Sequence, residues 1–297
     1  MTEKRGSRSK GKRSVTGRKS VIFFHPIMEI ALQRIHDCVD GILDLSHLEL
    51  TELPPLPEGL ITLYCDRNYL TFLPPLPEGL ITLYCDRNYL TFLPPLPDGL
   101  IELYCDSNRL TSLLGLPSSL RELSCTGNRL TFLSSLPSSL ITFTCQFNKL
   151  TTLPPLPSSL DKIRVDFNSL TTVPTLPPSL THISCDGNNL TSLPSLHHGL
   201  NKLHCFLNPL EILPELPSTL SSLSCRLPHN EQEFRSTELT PEQVQQLNQD
   251  NENWMDPYKK ERCMERCATY KEEIMMKVWH PSRVEKLIEM GYDIEDI

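Results

Sequence analysis

The chain has 297 residues, of which 39% are hydrophobic, with 26 prolines, 11 cysteines and a net charge of −8. No segment is long and apolar enough for a convincing signal peptide or a membrane span, so we expect neither. Residues 1–20 carry a net charge of +7 and residues 226–297 one of −6, leaving −9 for the part between them. An acidic central part argues against nucleic-acid phosphates as its main ligand.

Residues 1–20 are rich in lysine, arginine, serine and glycine and contain almost no large apolar side chains. This composition predicts a disordered basic arm. The arm has two interpretations: it improves solubility, or the cations from Lys10 to Lys19 form a nuclear-localisation signal or a tether to nucleic acid. Nucleic acid is expected as a partner only through this arm.

Residues 21–39 are predicted to form a helical N-terminal cap, because five apolar side chains lie close to one helical face. These side chains are Ile27, Ile30, Ala31, Ile35 and Cys38. The cap would shield the open apolar edge of the structure that follows. A partner-binding helix is the alternative interpretation.

Residues 40–226 are dominated by a 20-residue repeat, and residues 53–72 and 73–92 are identical. Each unit follows L-x-x-L-x-C-x-x-N-x-L-T-x-L-P-x-L-P-x-x, and its first eleven positions match the leucine-rich repeat signature. A period of this length means a solenoid, since one unit buries its apolar face only when neighbours stack on it. Full units begin at Leu60, Leu80, Leu100, Leu120, Leu140, Leu160, Leu180 and Leu200.

The positions within one unit have distinct predicted roles. Alternation along a strand places Leu63 and Cys65 inside, and Thr62 and Tyr64 on the concave surface. The side-chain amide of Asn68 is expected to satisfy backbone groups in the turn and to form a ladder with the equivalent asparagines.

The proline-rich segment 73–77 lacks most backbone donors, so the convex side is predicted to be extended and polyproline-like. The predicted fold is a leucine-rich repeat solenoid, a right-handed α/β-type superhelix with a parallel concave β-sheet. A short helical N-terminal cap and a small helical C-terminal tail complete it.

Eight of the eleven cysteines occupy one position of the repeat, and Val165 takes that position in a ninth unit. Stacked side chains with near-parallel Cβ vectors have poor geometry for disulfides. We therefore predict a buried apolar role for these cysteines and a reducing intracellular location, in the cytoplasm or nucleus.

Residues 227–297 are predicted to form a helical tail that covers the last repeat. Thr240 and Pro241 are typical of a helix start, and further helices are expected over 256–278 and 281–291. A zinc site at Cys263, Cys267 and His280 is disfavoured, because the spacing is weak and a fourth ligand is not evident. No metal and no cofactor are expected.

The unit LPxLPxxLxxLxCxxNxLT resembles the LPX-type repeat of secreted bacterial virulence effectors of the YopM-like and IpaH-like group. The cysteine at the third anchor and the motif Trp279-His280-Pro281-Ser282-Arg283 resemble leucine-rich repeat proteins of giant DNA viruses of amoebae. The resemblance covers about two thirds of the chain and implies the solenoid fold.

IpaH-like proteins add a large ubiquitin-ligase domain with a catalytic Cys-x-Asp motif. Here the 72 residues after Cys225 are too few, and neither Cys263 nor Cys267 precedes x-Asp. The sequence also contains no glycine-rich phosphate loop, G-x-S-x-G elbow or H-E-x-x-H pair. We therefore predict that the protein is not an enzyme.

The candidate binding residues are the outward side chains of the concave face. Tyrosine and arginine are typical anchors of protein interfaces. The candidates in the first three repeats are Tyr64, Tyr84, Tyr104, Asp66, Asp86, Asp106, Arg67 and Arg87. A basic stripe follows toward the C-terminal end, formed by Lys162, Arg164, His182, Lys202 and His204. The simpler interpretation is that exposed strand residues favour β-structure without binding anything.

Two functions remain open from the sequence. The first is a non-enzymatic, monomeric module that binds a host or cellular protein on its concave face without contacting a membrane. The second is a structural or chromatin-associated scaffold tethered by the basic arm.

Overall fold

The computed structural model describes residues 26–211, 213–225, 234–236 and 239–252. Two helices lie within these ranges, α1 at Pro26–Asp37 and α2 at Pro241–Glu252. The strands are β1 Ile42–Asp44, β2 Thr62–Tyr64, β3 Thr82–Tyr84, β4 Glu102–Tyr104, β5 Glu122–Ser124, β6 Thr142–Thr144, β7 Lys162–Arg164, β8 His182–Ser184, β9 Lys202–His204, β10 Ser222–Cys225 and β11 Phe234–Ser236. The basic arm, the predicted helices over 256–278 and 281–291, and Cys263, Cys267 and His280 lie outside the described residues.

The strands form one sheet in chain order, and β1 to β10 are parallel. The register between full repeats advances by one 20-residue unit, so that Leu63 pairs with Leu83 and Leu83 with Leu103. This arrangement confirms the predicted solenoid with a parallel sheet.

The last strand, β11, pairs antiparallel with β10 and aligns Phe234 with Cys225. It covers the edge of β10, whose backbone N–H and C=O groups would otherwise be unpaired. The sequence analysis predicted only helices in the tail and omitted this strand. Three residues are too short to show the alternation that identifies a strand.

The interior repeats the same contacts in each unit. In the full unit that begins at Leu60, the side chains of Leu60, Leu63, Cys65 and Leu70 are all 0% exposed, and Leu73 is 4% exposed. Val165 is 0% exposed as well, so valine fills the space of the cysteine side chain in its repeat. The predicted inward positions are therefore confirmed, and stacking of units creates one continuous apolar core.

The asparagines form the predicted ladder between neighbouring units. The Asn88 Nδ2 donates to the carbonyl oxygens of Cys65 at 3.0 Å and Cys85 at 3.2 Å. Its Oδ1 accepts the backbone N–H of Leu70 at 3.0 Å. Each amide thus bonds its own turn and the preceding one, which satisfies backbone groups that the turn removes from the strands. The ladder consists of Asn68, Asn88, Asn108, Asn128, Asn148, Asn168, Asn188 and Asn208, all at most 9% exposed.

Helix α1 covers the first unit, as predicted for the cap. Ala31 is 0% exposed, and the Arg34 Nη1 donates to the Asp44 carbonyl oxygen at 2.8 Å. The half-buried residues packed on the core from this segment are Ile27, Met28, Ile35 and Cys38.

Ile30, predicted to belong to this buried face, is instead 46% exposed. Met28 packs on the core in its place. With 3.6 residues per turn, Met28 lies about 60° around the helix from Ala31, whereas Ile30 lies about 100° away. The apolar face is therefore narrower than the sequence analysis assumed.

Helix α2 begins with a reciprocal cap and covers the far end of the solenoid. The Thr240 N–H donates to Gln243 Oε1 at 2.9 Å, and the Gln243 N–H donates to Thr240 Oγ1 at 3.3 Å. Val244 and Leu247 are buried in the core. The predicted helix start and its role over the last repeat are confirmed.

Candidate functional site

The sheet presents two outward columns, because the first and third residues of each strand point away from the core. From β2 to β9 the first column reads Thr62, Thr82, Glu102, Glu122, Thr142, Lys162, His182 and Lys202. The third-residue column reads Tyr64, Tyr84, Tyr104, Ser124, Thr144, Arg164, Ser184 and His204. The two ends of this face therefore differ in chemistry, although the strands that carry them are alike.

Tyr64, Tyr84 and Tyr104 form a continuous stack, which we call the tyrosine ladder. Ring centroids are 4.7 Å apart between the first two tyrosines and 4.5 Å apart between the second and third. The interplanar angles are 12° and 2°. Parallel strands lie at about 4.8 Å, the distance of ring stacking, so in-register tyrosines stack without leaving their strands. All three side chains are half-buried.

Glu122 on the same face fixes one end of the tyrosine ladder, and the charge of Glu102 also acts on the rings. The Tyr104 hydroxyl donates to Glu122 Oε2 at 2.6 Å. Burial, together with the nearby carboxylates of Glu122 and Glu102, raises the pKa values of Tyr104 and Tyr84. Tyr84 and Tyr104 therefore stay neutral near neutral pH, and the Tyr104 hydroxyl acts as a hydrogen-bond donor. The sequence analysis missed both glutamates, although their position two residues before an outward residue was a usable signal.

The predicted aspartates Asp86 and Asp106 lie beside the tyrosine ladder and bond the backbone of the next unit. Asp86 Oδ1 accepts the Asp106 N–H, and Asp106 Oδ1 accepts the Thr126 N–H, each at 2.6 Å. The Ser124 hydroxyl donates to both Asp106 carboxylate oxygens at 2.7 and 2.9 Å. These carboxylates thus connect successive repeats, and any role in binding would be additional.

Burial raises the pKa of Asp86 to about 7, although the hydrogen bond from the Asp106 N–H stabilises the charged form and opposes this shift. The pKa of Asp106 is also raised by burial, while the Ser124 hydroxyl and the Thr126 N–H oppose the shift. Near neutral pH this part of the face therefore carries less negative charge than the formal count of aspartates suggests.

Arg67 and Arg87 lie in the turn after the strands, at the rim of the face. Their φ angles are 53° and 51°, in the left-handed region. Arg67 Nε lies 3.9 Å from Asp66 Oδ2, and the side chains of both arginines are exposed. The equivalent turn position of later repeats holds Phe147 and Phe167, which stack at 4.7 Å and were not predicted.

A second aromatic row follows the asparagine ladder and was also missed. Tyr69 and Tyr89 stack with centroids 5.9 Å apart, and the Arg109 guanidinium lies 4.3 Å from the centroid of Tyr89. The signal was a second tyrosine at a constant phase of the repeat.

The basic residues near the C-terminal end of the face are brought together as one group, which we call the basic cluster. It consists of Lys162, Arg164, His182, Lys202 and His204. The register aligns Lys162 with His182 and His182 with Lys202 on adjacent strands. Five potential cations therefore share three neighbouring strands.

Both histidines of the basic cluster have lowered pKa values. For His182 burial contributes most, followed by the positive charge of Lys202. For His204 burial again contributes most and Lys202 adds to it, while the carboxylate of Asp166 opposes the shift. Both imidazoles are therefore mainly neutral near neutral pH.

The cysteines at the repeated position are buried in the core and have free thiols of low reactivity. Burial raises the pKa of Cys105, whose Sγ lies 3.3 Å from the Ser124 carbonyl oxygen. A thiol with a raised pKa is a poor nucleophile. In the described part of the chain, no group of three or more His, Cys, Asp or Glu residues is placed to hold a metal ion. No helix of the described ranges is both long and apolar enough to cross a bilayer.

No protein-family model matches the chain, and the search of curated proteins gave no match. Among solved structures, the leucine-rich effector protein YopM from Yersinia pestis is 36% identical, with a TM-score of 0.59 over 66% of this chain and 64% of YopM. YopM from Yersinia enterocolitica is 30% identical, with a TM-score of 0.39 over 67% of this chain and 60% of that one. The leucine-rich repeat domain of APL1B is 22% identical, with a TM-score of 0.52 over 69% of this chain and 74% of APL1B.

The repeat, the parallel sheet and the asparagine ladder define the class: the chain is a leucine-rich repeat protein. Within that class its solenoid is YopM-like, as the match to the Yersinia pestis protein shows. The chain spans less than two thirds of the length of either YopM structure. The resemblance to proteins of giant DNA viruses is not tested by these comparisons and stays a prediction.

Proposed function

We propose that the protein is a non-enzymatic module that binds a host or cellular protein on the concave face of its solenoid. The observation that carries this proposal is the tyrosine ladder, a stack of three rings that are only half-buried. We propose further that the protein acts as a monomer inside a host cell, as an effector-like protein of bacterial or viral origin. The resemblance to the leucine-rich effector protein YopM of Yersinia pestis supports an effector-like role.

The tyrosine ladder is suited to binding because its rings are ordered before a partner arrives. Stacking at 4.5 to 4.7 Å restricts each ring, and the bond from Tyr104 to Glu122 fixes the end of the row. Side chains that are already ordered lose little conformational entropy when they are covered. Tyrosine also combines a large apolar ring with a hydroxyl that hydrogen-bonds at the edge of an interface.

The proposal is tested by affinity capture from a eukaryotic cell lysate, followed by binding measurements with each captured protein after purification. The variant Tyr64→Ala/Tyr84→Ala/Tyr104→Ala should lose at least about 2 kcal/mol of binding free energy, or about 30-fold in Kd. A matched control removes three aromatic rings that are 45%, 56% and 51% exposed outside the outward columns. This control is Phe72→Ala/Phe92→Ala/Phe132→Ala.

The control variant should bind as the unchanged protein does. Equal losses in both variants, with unchanged circular dichroism, would contradict binding through the tyrosine ladder. No partner whose affinity depends on the ladder would have the same consequence.

The alternative is a structural or chromatin-associated scaffold tethered by residues 1–20, favoured by the net charge of +7 in that segment. Deleting residues 1–20 separates the two functions. Concave-face binding predicts an unchanged Kd for the protein partner, whereas the scaffold predicts loss of nuclear retention or of nucleic-acid binding.

A further inference from the structure

We infer that the basic cluster binds an acidic segment of the partner protein and that protons are taken up when it binds. This inference rests on the proposed concave-face function and adds the chemistry of the ligand at one end of the face. It concerns β7, β8 and β9, which are separate from the strands of the tyrosine ladder.

The spacing of the basic cluster matches that of carboxylates on an extended chain. Adjacent strands lie about 4.8 Å apart, so the outer lysines, Lys162 and Lys202, are separated by about 10 Å at the backbone. Arg164 and His204 lie two residues further along their strands, about 6.6 Å away. Alternate side chains of an extended peptide are spaced by that same distance, so an acidic segment can present several carboxylates at once.

The acidic residues near the basic cluster are already engaged in other contacts. Asp161 Oδ2 lies 3.8 Å from Lys162 Nζ, and Asp161 also accepts a hydrogen bond from the Thr181 hydroxyl. Asp166 is 4% exposed and accepts from the Gln146 amide, the Ser184 hydroxyl and the Asp186 N–H.

Arg164 and Lys202 are exposed and lie within 4 Å of no carboxylate in the described part of the chain. Their charges are therefore available to a ligand.

His182 faces charge from both neighbouring strands. Lys162 and Arg164 on β7 and Lys202 on β9 lower its pKa, Asp161 raises it, and the Thr181 hydroxyl lies 2.5 Å from its Nδ1. These cations disfavour a further positive charge as long as no anion is present.

His204 is surrounded in a similar way. Its ring Nε2 lies 3.2 Å from the Ser222 hydroxyl of β10, and Ser184 and Ser224 align with it on the flanking strands. Lys202 and Arg164 lower its pKa, and Asp166 opposes them.

A bound carboxylate reverses the balance at both histidines. It favours the imidazolium form and offsets the repulsion from Lys202, so the pKa of each histidine is higher in the complex than in the free protein. A group that binds protons more tightly in the complex makes binding stronger as the pH falls. Affinity should therefore increase from pH 8 to pH 6.

An acidic protein segment fits better than a nucleic acid. Residues 21–225 carry a net charge of −9, so a polyphosphate that extended beyond the basic cluster would meet repulsion. A short acidic segment places its charge only where the cations lie, and the rest of its protein is free to contact the tyrosine ladder.

The inference is tested with a fluorescein-labelled octaglutamate peptide and the full-length protein, by fluorescence anisotropy in about 50 mM salt, where screening is weaker than at physiological ionic strength. We expect binding that is about 3- to 10-fold tighter at pH 6 than at pH 8, a range in which glutamate itself does not titrate. The variant Lys162→Gln/Arg164→Gln/Lys202→Gln should bind at least about 10-fold more weakly. A matched control, Arg121→Gln/Arg129→Gln/Lys149→Gln, removes the same charge elsewhere on the solenoid and should change Kd less than about 2-fold.

The double variant His182→Gln/His204→Gln isolates the proton linkage. It should lose the gain at pH 6, so that its Kd for octaglutamate changes less than about 2-fold between pH 8 and pH 6. An equal gain at pH 6 in this variant would overturn the inference, as would equal losses in the two triple variants. Tighter binding of an octathymidylate at the basic cluster would overturn it in favour of a nucleic acid.

The partner obtained with the tyrosine-ladder experiment distinguishes the two proposals. If that partner is lost by the tyrosine variant but retained by Lys162→Gln/Arg164→Gln/Lys202→Gln, the proposed function holds and the acidic-segment inference is wrong. If both variants lose it, and the loss at the basic cluster depends on pH, both proposals hold.

Discussion

The inward and outward sides of the same strands differ in how much they vary. Inward, large apolar anchors that are mostly leucine, a cysteine or valine, and an asparagine recur at fixed positions through eight full repeats. Outward, the third residue of the strand changes from tyrosine to serine, threonine, arginine and histidine along the sheet. Because each interior unit stacks on a neighbour at either side, an inward change disturbs two interfaces at once, whereas an outward change meets mainly solvent.

Because it is mainly the outward residues that vary between repeats, they are the part of the sequence that indicates the function. The same types of buried residue recur in each unit, so the interior residues identify the fold but do not indicate which ligand the protein binds. The outward columns are free to differ, and they do so in two blocks, with the tyrosine ladder at one end and the basic cluster at the other.

The largest effect is expected for removal of one amide from the asparagine ladder. In Asn128→Ala, the Leu110 N–H loses its acceptor at 3.0 Å, and the carbonyl oxygens of Cys105 and Cys125 lose a donor at 3.0 and 3.1 Å. Each buried group left unpaired costs about 1–3 kcal/mol, so we expect a loss of about 3–5 kcal/mol in the free energy of unfolding. Urea denaturation followed by circular dichroism measures this loss.

An outward substitution on the adjacent strand is the matched control. Thr144→Ala removes a half-buried side chain from the concave face and should cost less than about 1 kcal/mol. A cost for Asn128→Ala as small as that of Thr144→Ala would mean that water replaces the amide and that the ladder does not hold the units together.

Most of the fold was predictable because the repeat supplies it many times over. The 20-residue period, the constant position of the asparagine and the alternation of apolar residues recur in every unit. A misinterpretation of one unit therefore does not change the predicted strands, turns or core. The ends lack this redundancy. The exposure of Ile30 and the strand β11 depend on contacts that occur once in the molecule, and the sequence analysis missed both.

The candidate site was predictable in position but not in contacts. Alternation places Tyr64, Tyr84 and Tyr104 on one face, and the register makes them stack. It does not show that the Asp86 carboxylate bonds the backbone of the next unit, since that contact depends on the turn geometry. Nor does it show that Glu122 meets the hydroxyl of Tyr104, because this pair lies diagonally across two strands.

Gly127 and Gly187 occupy the same turn position in two repeats; they share a backbone conformation but have different neighbouring side chains. Gly127 and Gly187 have φ angles of 67° and 64°. A Cβ at Gly187 would lie 2.7 Å from Cδ1 of Phe167, whereas at Gly127 the nearest atom, Ser107 Oγ, is 3.5 Å away. Gly187→Ala should therefore cost about 2–4 kcal/mol and Gly127→Ala about 1 kcal/mol, the part due to the left-handed backbone alone.

Thermal and urea unfolding of both glycine variants measures the difference. Adding Phe167→Ala to Gly187→Ala should remove the clash, so that the two changes combine to less than the sum of their separate costs. If the costs of Gly187→Ala and Phe167→Ala simply add, the Phe167 ring moves aside without cost. This turn would then tolerate substitution as well as the outward columns of the sheet do.

The smallest effect on stability is expected for Asp86, which lies beside the tyrosine ladder and accepts the backbone N–H of Asp106. Its pKa of about 7 in the folded protein, raised by burial from 3.8, means that between these values the folded state holds a proton that the unfolded state has lost. The stability contributed by this group is therefore present below about pH 4 and is lost as the pH rises to about 7. Because the side chain is partly exposed, we expect a loss of about 1–3 kcal/mol over this range.

The comparison of Asp86→Asn with Asp86→Ala separates the charge from the hydrogen bond. Asparagine cannot ionise but can still accept the Asp106 N–H, so Asp86→Asn should gain about 1–3 kcal/mol relative to the unchanged protein between pH 4 and pH 8. Alanine should show the same pH trend at a stability about 1 kcal/mol lower, because the N–H loses its acceptor. Urea denaturation at several pH values measures both trends. If the unfolding free energies of the unchanged protein and of Asp86→Asn follow parallel pH profiles, the charge of this carboxylate does not affect stability, as expected for the variable outward residues. If the profiles diverge, Asp86 contributes to the contacts that join one repeat to the next.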